Sequence, residues 1–203
     1  KKLNIHKKFI LNHDKILDEI TNAYNKYDIL NPGIFDDNFK QTDDKYGYFF
    51  INYSGYNITN NIFPTIEKII REKKNTNEEV ETCFISIIDG KKNIHEHRGP
   101  YKGLLRYHYT VLNDDSNKNF LKVLNKKLFW KEKTGFLFDD TFYHRAQKKT
   151  NGMRVVIICD IKRKLPFVLS KFNNLCLKML KSSNYVKSVK KELILKRKKN
   201  III

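Results

Sequence analysis

Hydrophobic positions change their period twice along this chain, from mixed to two-fold near residue 82 and from two-fold to helical near residue 165. In the first part, Ile16, Leu17, Ile20 and Tyr24 recur at helical spacing, which predicts a helix over 13–26 with Asp14 near its start. Residues 46–56 are aromatic-rich, and their 48–53 centre suits a strand with Gly47 and Gly55 near its ends. Ile62, Ile66, Ile69 and Ile70 predict a second helix within 60–74, where Pro64 is tolerable only in the first turn.

After Thr82 short strand-like runs follow one another at 83–88, 104–112, 120–124, 128–131, 136–139, 143–147 and 153–161. Turn signals separate them: Asp89-Gly90, then 113–116, 125–127, Gly135 and Asn151-Gly152. Seven strands so spaced predict an all-β sandwich or barrel rather than βαβ units. From Leu165 one helical stripe is formed by Phe172, Leu175, Cys176, Met179 and Leu180; Val186, Val189 and Leu193 form another after Ser182-Ser183. The first stripe is expected to pack on the β-domain with its lysines facing water. The chain thus divides into a helix/strand region over 1–80 packing on the core, a β-core over 81–162, and a basic helical extension over 163–203.

Charge sharpens that last boundary. Residues 162–199 hold 13 Lys/Arg against Glu192 alone, so they carry +12 of the net +18 and leave +6 for the first 161 residues. Two sources stay open for this excess: an anionic partner, or the amino-acid bias of an AT-rich genome in a chain rich in Lys, Asn and Ile. A basic amphipathic tail suits contact with a membrane surface. Nucleic acid ranks last, because the tail offers few aromatics to stack bases. Cys83, Cys159 and Cys176 are too few and scattered for a disulfide framework and lack zinc-site spacing, which favours a reducing, cytoplasmic compartment. No apolar run approaches the ~20 residues of a membrane span. The chain begins at Lys1, so a preceding leader or anchor stays open.

Within the β region, His97 follows the Asp89-Gly90 turn in His95-Glu96-His97-Arg98-Gly99-Pro100, and His144 lies 47 residues later, just after Phe138-Asp139-Asp140. Neutral imidazoles suit iron(II), and a β-sandwich can bring two distant strands to one metal while leaving coordination positions open. Ten residues beyond His144, Arg154 stands among Met153, Val155, Val156 and Ile157 on the last β-branched strand. A guanidinium there is poorly explained by packing, whereas its planar fork matches a carboxylate with two hydrogen bonds.

With these residues in view, the chain resembles the aspartyl/asparaginyl β-hydroxylase family over about 82–162. The resemblance is carried by Ser86, His97-Arg98-Gly99-Pro100 and Leu105-Arg106-Tyr107-His108, then by Trp130, Gly135, the run from Phe138 to His144, and Arg154 leading to Asp160. It implies a mainly β chain with flanking helices, a double-stranded β-helix of jelly-roll or cupin-like kind. It also implies an Fe(II)- and 2-oxoglutarate-dependent dioxygenase using O₂, with ascorbate as activator. On it, His97 and His144 are the metal ligands, Arg154 partners the distal carboxylate of 2-oxoglutarate, and Ser86, Arg106 and His108 contact the co-substrate. Gly99 stands where the wider superfamily has a third, carboxylate ligand; Asp140 is then an acceptor behind the ligands rather than a ligand.

The substrate implied first is the β-carbon of Asp or Asn in a peptide or protein. A free amino acid or a lipid acyl chain is the alternative, as is an inactive binding module of the same fold. Oligomeric state is not readable. Plainer readings stand beside these: Ser86 and His108 as satisfied core groups, His6 and His13 as surface residues, Glu96 as solvated and Cys159 as packing. His95, two residues from His97, is expected on the same strand face, either lining the approach or exposed.

Overall fold

The strongest β-signal, Met153–Lys162, shows how the chain is layered. Val155, Ile157, Cys159 and Ile161 belong to one buried cluster, and Val156 and Ile158 to a second, so a single strand serves two cores. In the computed structural model, which describes residues 3–30, 46–72 and 78–198 with side chains to 196, this strand lies in the middle of a six-stranded sheet.

In chain order the elements are α1 (Asn4–Leu11), α2 (His13–Lys26), β1 (Tyr46–Tyr53), β2 (Tyr56–Asn57), α3 (Pro64–Arg71), β3 (Val80–Asp89), β4 (Lys92–His97) and β5 (Leu104–Asn113). There follow β6 (Phe120–Val123), β7 (Lys126–Phe129), β8 (Gly135–Phe138), β9 (His144–Lys148), β10 (Met153–Lys162), α4 (Phe167–Ser182) and α5 (Asn184–Lys198). The larger sheet has the order β2-β1-β3-β10-β5-β8 and the smaller β4-β9-β6-β7, with antiparallel pairing throughout. This is the expected mainly β architecture of two sheets with flanking helices, in the jelly-roll manner.

The outer face of the larger sheet is covered by the N-terminal helices. Ile5 and Phe9 of α1, Ile16 and Ile20 of α2, and Ile66, Ile69 and Ile70 of α3 pack on Phe49, Ile85, Tyr109 and Ile157. Burying side chains of this size contributes about 1.5–3 kcal/mol each. The inner face carries Phe50, Phe84, Val156 and Ile158 toward Leu121 and Ala146 of the smaller sheet, with Trp130 between.

Several expectations shift. Helix α2 falls where predicted, but α1 was not anticipated. The helix predicted within 60–74 begins only at Pro64, because Asn60 and Asn61 take positive φ (50° and 78°); residues 73–74 lie outside those described. Turn 125–127 is tighter than expected: Val123 pairs with Lys126, leaving Leu124 and Asn125 as a two-residue loop with Leu124 at φ 50°. The N-terminal region does not merely pack on the core, since β1 is hydrogen-bonded to β3 within the larger sheet.

Two side-chain expectations are corrected. His13 is buried, its Nδ1 3.0 Å from the Tyr109 hydroxyl, and His6 Nδ1 lies 2.7 Å from that of Tyr107. The helical stripe of Phe172, Leu175, Met179 and Leu180 does not pack on the β-domain: all four are exposed, and α4 instead buries Asn173 and Leu177. It is the second stripe, for which no packing was predicted, that docks, through Val189 and Leu193 of α5. Cys83 and Cys159, far apart in sequence, are directly paired neighbours on β3 and β10, buried as thiols 3.6 Å apart.

Candidate active site

Alternation on three adjacent strands sets the polar side of the site. Because Cys83, Ile85 and Ile87 of β3 face the helices, Phe84 and Ser86 face inward; on β5 Tyr107 and Tyr109 face outward, so Arg106 and His108 face inward. On β10, Arg154 shares the inward face with Val156 and Ile158. Four polar groups thus meet in one cavity between the sheets, lined on its far side by Ile94, His97, Leu121, His144 and Ala146.

The two predicted metal ligands come together by register. His97, the last residue of β4, is paired directly with His144, the first of β9, and their ring centroids are 4.3 Å apart. Between Ile94 and His97 the ladder slips: Ile94 pairs with Ala146 and His97 with His144, three residues on β4 against two on β9. That one-residue bulge re-aims the strand. Ile94 and His97 consequently both line the cavity while His95 and Glu96 are exposed, so the expectation that His95 and His97 share a face is corrected.

Each of the two rings is held the same way. His97 Nδ1 lies 2.7 Å from the His95 carbonyl and His144 Nδ1 2.9 Å from the Phe142 carbonyl. A carbonyl only accepts, so each Nδ1 carries the proton and each Nε2 is unprotonated, as metal-bound imidazoles require. Burial pushes the His144 imidazole down to about 4, partly opposed by the Phe142 carbonyl, which keeps it neutral and ready to ligate. The donor set therefore fits a divalent transition metal held by two imidazoles. No cluster of three or more His, Cys, Asp or Glu suited to a metal exists among the described residues, and position 99 is a glycine.

Position 99 is closed to a side chain for a local reason. A Cβ there would overlap the Asp140 carboxylate, and the Gly99 amide donates to the Asp140 carbonyl at 2.7 Å. Asp140 is buried, and desolvation raises its carboxyl above the usual value against the pull of Arg106. Arg106 lines the cavity but is engaged: it donates to Asp160, the residue opposite on β10, at 2.8 and 3.1 Å, and meets Asp140 at 3.3 Å. Burial alone would depress its guanidinium; Asp160 and Asp140 outweigh that and hold it above its ordinary value.

Arg154 is in the opposite condition. It is 2% exposed, donates to Ser86 Oγ at 2.7 Å, and stacks over Trp130 with its guanidinium carbon 4.5 Å from the ring. It forms no ion pair among the described residues, and its Nε has no partner. Burial pushes it down to about 10, yet a guanidinium remains charged at neutral pH. Beside it, His108 Nδ1 accepts from the Trp130 indole at 3.3 Å, so its Nε2 carries the proton and is likewise buried without a partner. Burial, then Arg154 and Arg106, hold this imidazole well below its ordinary value. A buried cation with spare donor capacity next to a second spare donor has the chemistry to receive an anion.

Tyr46 and Tyr48 complete the cavity and are hydrogen-bonded to each other through their hydroxyls. Sequence reasoning missed them as site residues. The signal was present: Tyr46, Tyr48 and Phe50 alternate with Gly47, Phe49 and Ile51, which puts hydroxyl-bearing rings on one face of β1.

Comparisons with known proteins find likenesses in sequence and in structure. The match to the ornithine lipid ester-linked acyl 2-hydroxylase of Rhizobium tropici is 35% identical over 85 residues, covering 41% of this chain but only 30% of that protein. A 2OG-Fe(II) oxygenase-family oxidoreductase from Burkholderia pseudomallei superposes with TM-score 0.47 at 10% identity, over 59% of this chain and 68% of that one. The viral collagen prolyl hydroxylase of Paramecium Bursaria Chlorella virus-1 does so with TM-score 0.41 at 11% identity, over 60% and 81%. The family model described as aspartyl/asparaginyl beta-hydroxylase matches residues 11–164, from the helices behind the larger sheet to the end of the strand that carries Arg154. With most of its length under that model, the chain belongs to the aspartyl/asparaginyl β-hydroxylase family.

Proposed function

We propose that this protein is an Fe(II)- and 2-oxoglutarate-dependent dioxygenase that hydroxylates an unactivated C–H bond. In the balanced reaction, 2-oxoglutarate, O₂ and R–H give succinate, CO₂ and R–OH. The observation that carries the reading is Arg154: a guanidinium 2% exposed, without an ion pair among the described residues, in the cavity that both histidines line. Leaving a buried charge unpaired costs several kcal/mol, and a ligand carboxylate removes that cost.

The roles follow from the contacts. His97 and His144 would hold the iron through Nε2, their Nδ1 atoms being tied to backbone carbonyls. Iron supplies the activation of O₂ when bound. Arg154, with Ser86 and His108, would receive the distal carboxylate of 2-oxoglutarate, and the Trp130 face keeps the guanidinium flat and dry. Arg106, braced by Asp160, fixes Asp140 behind the ligands and closes position 99. Phe84, Leu121, Phe138 and Ile158 exclude water from the reacting centre.

For the C–H bond, the family's description points to the Asp or Asn β-carbon and the Rhizobium relative to a lipid acyl chain. The exposed apolar face of α4 favours the lipid. Its Leu169 and Phe172 share a groove with Tyr101, Gly103 and Asp139, on the loops that follow His97 and precede His144. Purified protein with iron(II) and ascorbate should convert 2-oxoglutarate to succinate, and His97→Ala or His144→Ala should abolish it. Mass spectrometry of peptide and acyl-lipid substrates for one added oxygen identifies the substrate class. Absence of succinate formation with every substrate would leave the inactive binding module.

A further inference from the structure

Helix α4 is amphipathic in the wrong sense for a helix that serves only to cover a core. At 100° per residue, Val168, Leu169, Phe172, Leu175, Met179 and Leu180 occupy one continuous arc, and every one of them is exposed, with Val168 at 75% and Phe172 and Met179 at 65%. The helix buries only Asn173 and Leu177, which adjoin the Leu180 edge of that arc. Lys171 and Lys178 are exposed along one edge of the apolar arc. Asn173 ties the helix to the site: it accepts from the Tyr101 hydroxyl and donates to the Gly103 carbonyl at 3.1 Å. Phe142 and Tyr143, immediately before His144 in the chain, are exposed as well, and the Arg98 guanidinium lies over the Tyr143 ring at 5.4 Å.

We propose that the outward face of α4, with the Phe142–Tyr143–Arg98 rim, docks on an anionic lipid bilayer and brings the mouth of the His97–His144 cavity against it. Exposed aliphatic and aromatic side chains flanked by lysines are what an interfacial helix needs: the apolar arc enters the acyl boundary while the ammonium groups meet the headgroups. Charge complementarity selects this occupant over a second copy. Residues 162–199 carry +12, offset in part by Glu79, Asp139 and Glu81, which pair with Lys162, Arg163 and Lys181. The remaining excess makes two such segments repel each other, whereas an anionic leaflet attracts them. No helix among the described residues is long and apolar enough to cross a membrane, so contact through α4 lies along the surface. The docking stands apart from the chemistry assigned to the cavity; it rests on that reading only in placing a lipid acyl chain at the mouth.

Flotation of the full chain with phosphatidylcholine vesicles, and with vesicles containing phosphatidylglycerol, tests this directly. Binding should favour the anionic vesicles roughly tenfold or more and weaken in high salt. Phe172→Asp with Met179→Asp should remove it, and Lys171→Glu with Lys178→Glu should weaken it, with thermal stability unchanged because these side chains are exposed. His97→Ala should bind vesicles like the unaltered chain while forming no succinate, and absence of succinate formation by the unaltered chain with intact flotation counts against the enzyme reading and not against docking. Equal binding to neutral vesicles, no flotation at all, or flotation unaffected by the α4 substitutions would overturn the proposal. A dimer by light scattering that Phe172→Asp/Met179→Asp dissolves, without vesicle binding, would assign the face to a second copy instead. The salt and lipid dependence of the unaltered chain decides the matter should the variants fail to fold.

Discussion

Arg154 and Ser86 stand on β10 and β3 with guanidinium Nη2 and hydroxyl Oγ 2.7 Å apart, and this neutral hydroxyl is the only side-chain hydrogen-bond acceptor given to Arg154 among the described residues. The protein therefore holds a charge that its own residues do not neutralise. Arg154→Met should leave the melting temperature of the ligand-free protein unchanged or higher, because a buried unpaired charge is replaced by an apolar chain of similar length. The same substitution should abolish stabilisation by manganese(II) plus N-oxalylglycine in a thermal-shift measurement, and Arg154→Lys should restore little of it.

Arg106 predicts the reverse behaviour. Its two bonds to Asp160 and contact with Asp140 make it a paired buried cation, so Arg106→Ala strands two carboxylates. A loss of about 3–5 kcal/mol in stability is expected, measurable by urea unfolding, whatever ligand is present. Were the residue chiefly a co-substrate contact, stability would barely change while the KM for 2-oxoglutarate rose.

At position 99 an added carboxylate should harm rather than help. Gly99→Asp would thrust its side chain into the Asp140 carboxylate, so it should displace Asp140 from Arg106 instead of supplying a third metal ligand. The expected outcome is a loss of about 1–3 kcal/mol in stability and weaker, not tighter, manganese(II) binding by titration calorimetry.

Acid should destabilise the metal-free protein through its buried imidazoles. His13, His108 and His144 are all held below their ordinary value, first by burial. Over that window the unfolded chain binds more protons than the folded one, so stability falls as pH drops below about 6.5. For His144, lowered to about 4, the full loss is about 3 kcal/mol once the pH has passed that value. Asp140, raised by burial, opposes part of this. Denaturation midpoints measured between pH 7 and pH 5 without metal should decline, and bound metal should blunt the decline because it holds His144 unprotonated.

Much of this arrangement was legible in the residues, and its gaps have physical causes. Two-fold alternation located seven of the eight strands from β3 to β10 and missed β4, which carries His97, while His97, His144 and Arg154, singled out in the sequence, all line one cavity. Alternation could not choose between His95 and His97, because the choice is made by a bulge that needs the partner strand to define it. Arg106 and Arg154 look alike in sequence; only the position of Asp160 opposite Arg106 shows that one cation is satisfied and the other is not. Helical periodicity found the stripe on α4 but gave no direction for it, since a stripe at that spacing serves a core or a surface equally. Tyr46 and Tyr48 lay in a segment whose pairing with β3 is long-range and therefore invisible to local pattern.

The central claim is tested most directly by counting manganese(II) bound per chain, from the free-ion electron paramagnetic resonance signal, in the unaltered protein and in three single variants. One ion per chain is predicted for the unaltered protein and for His95→Ala, with binding lost in both His97→Ala and His144→Ala. Retention of the ion by His144→Ala, or its loss in His95→Ala, would contradict a site built from the Nε2 atoms of two imidazoles facing each other across β4 and β9.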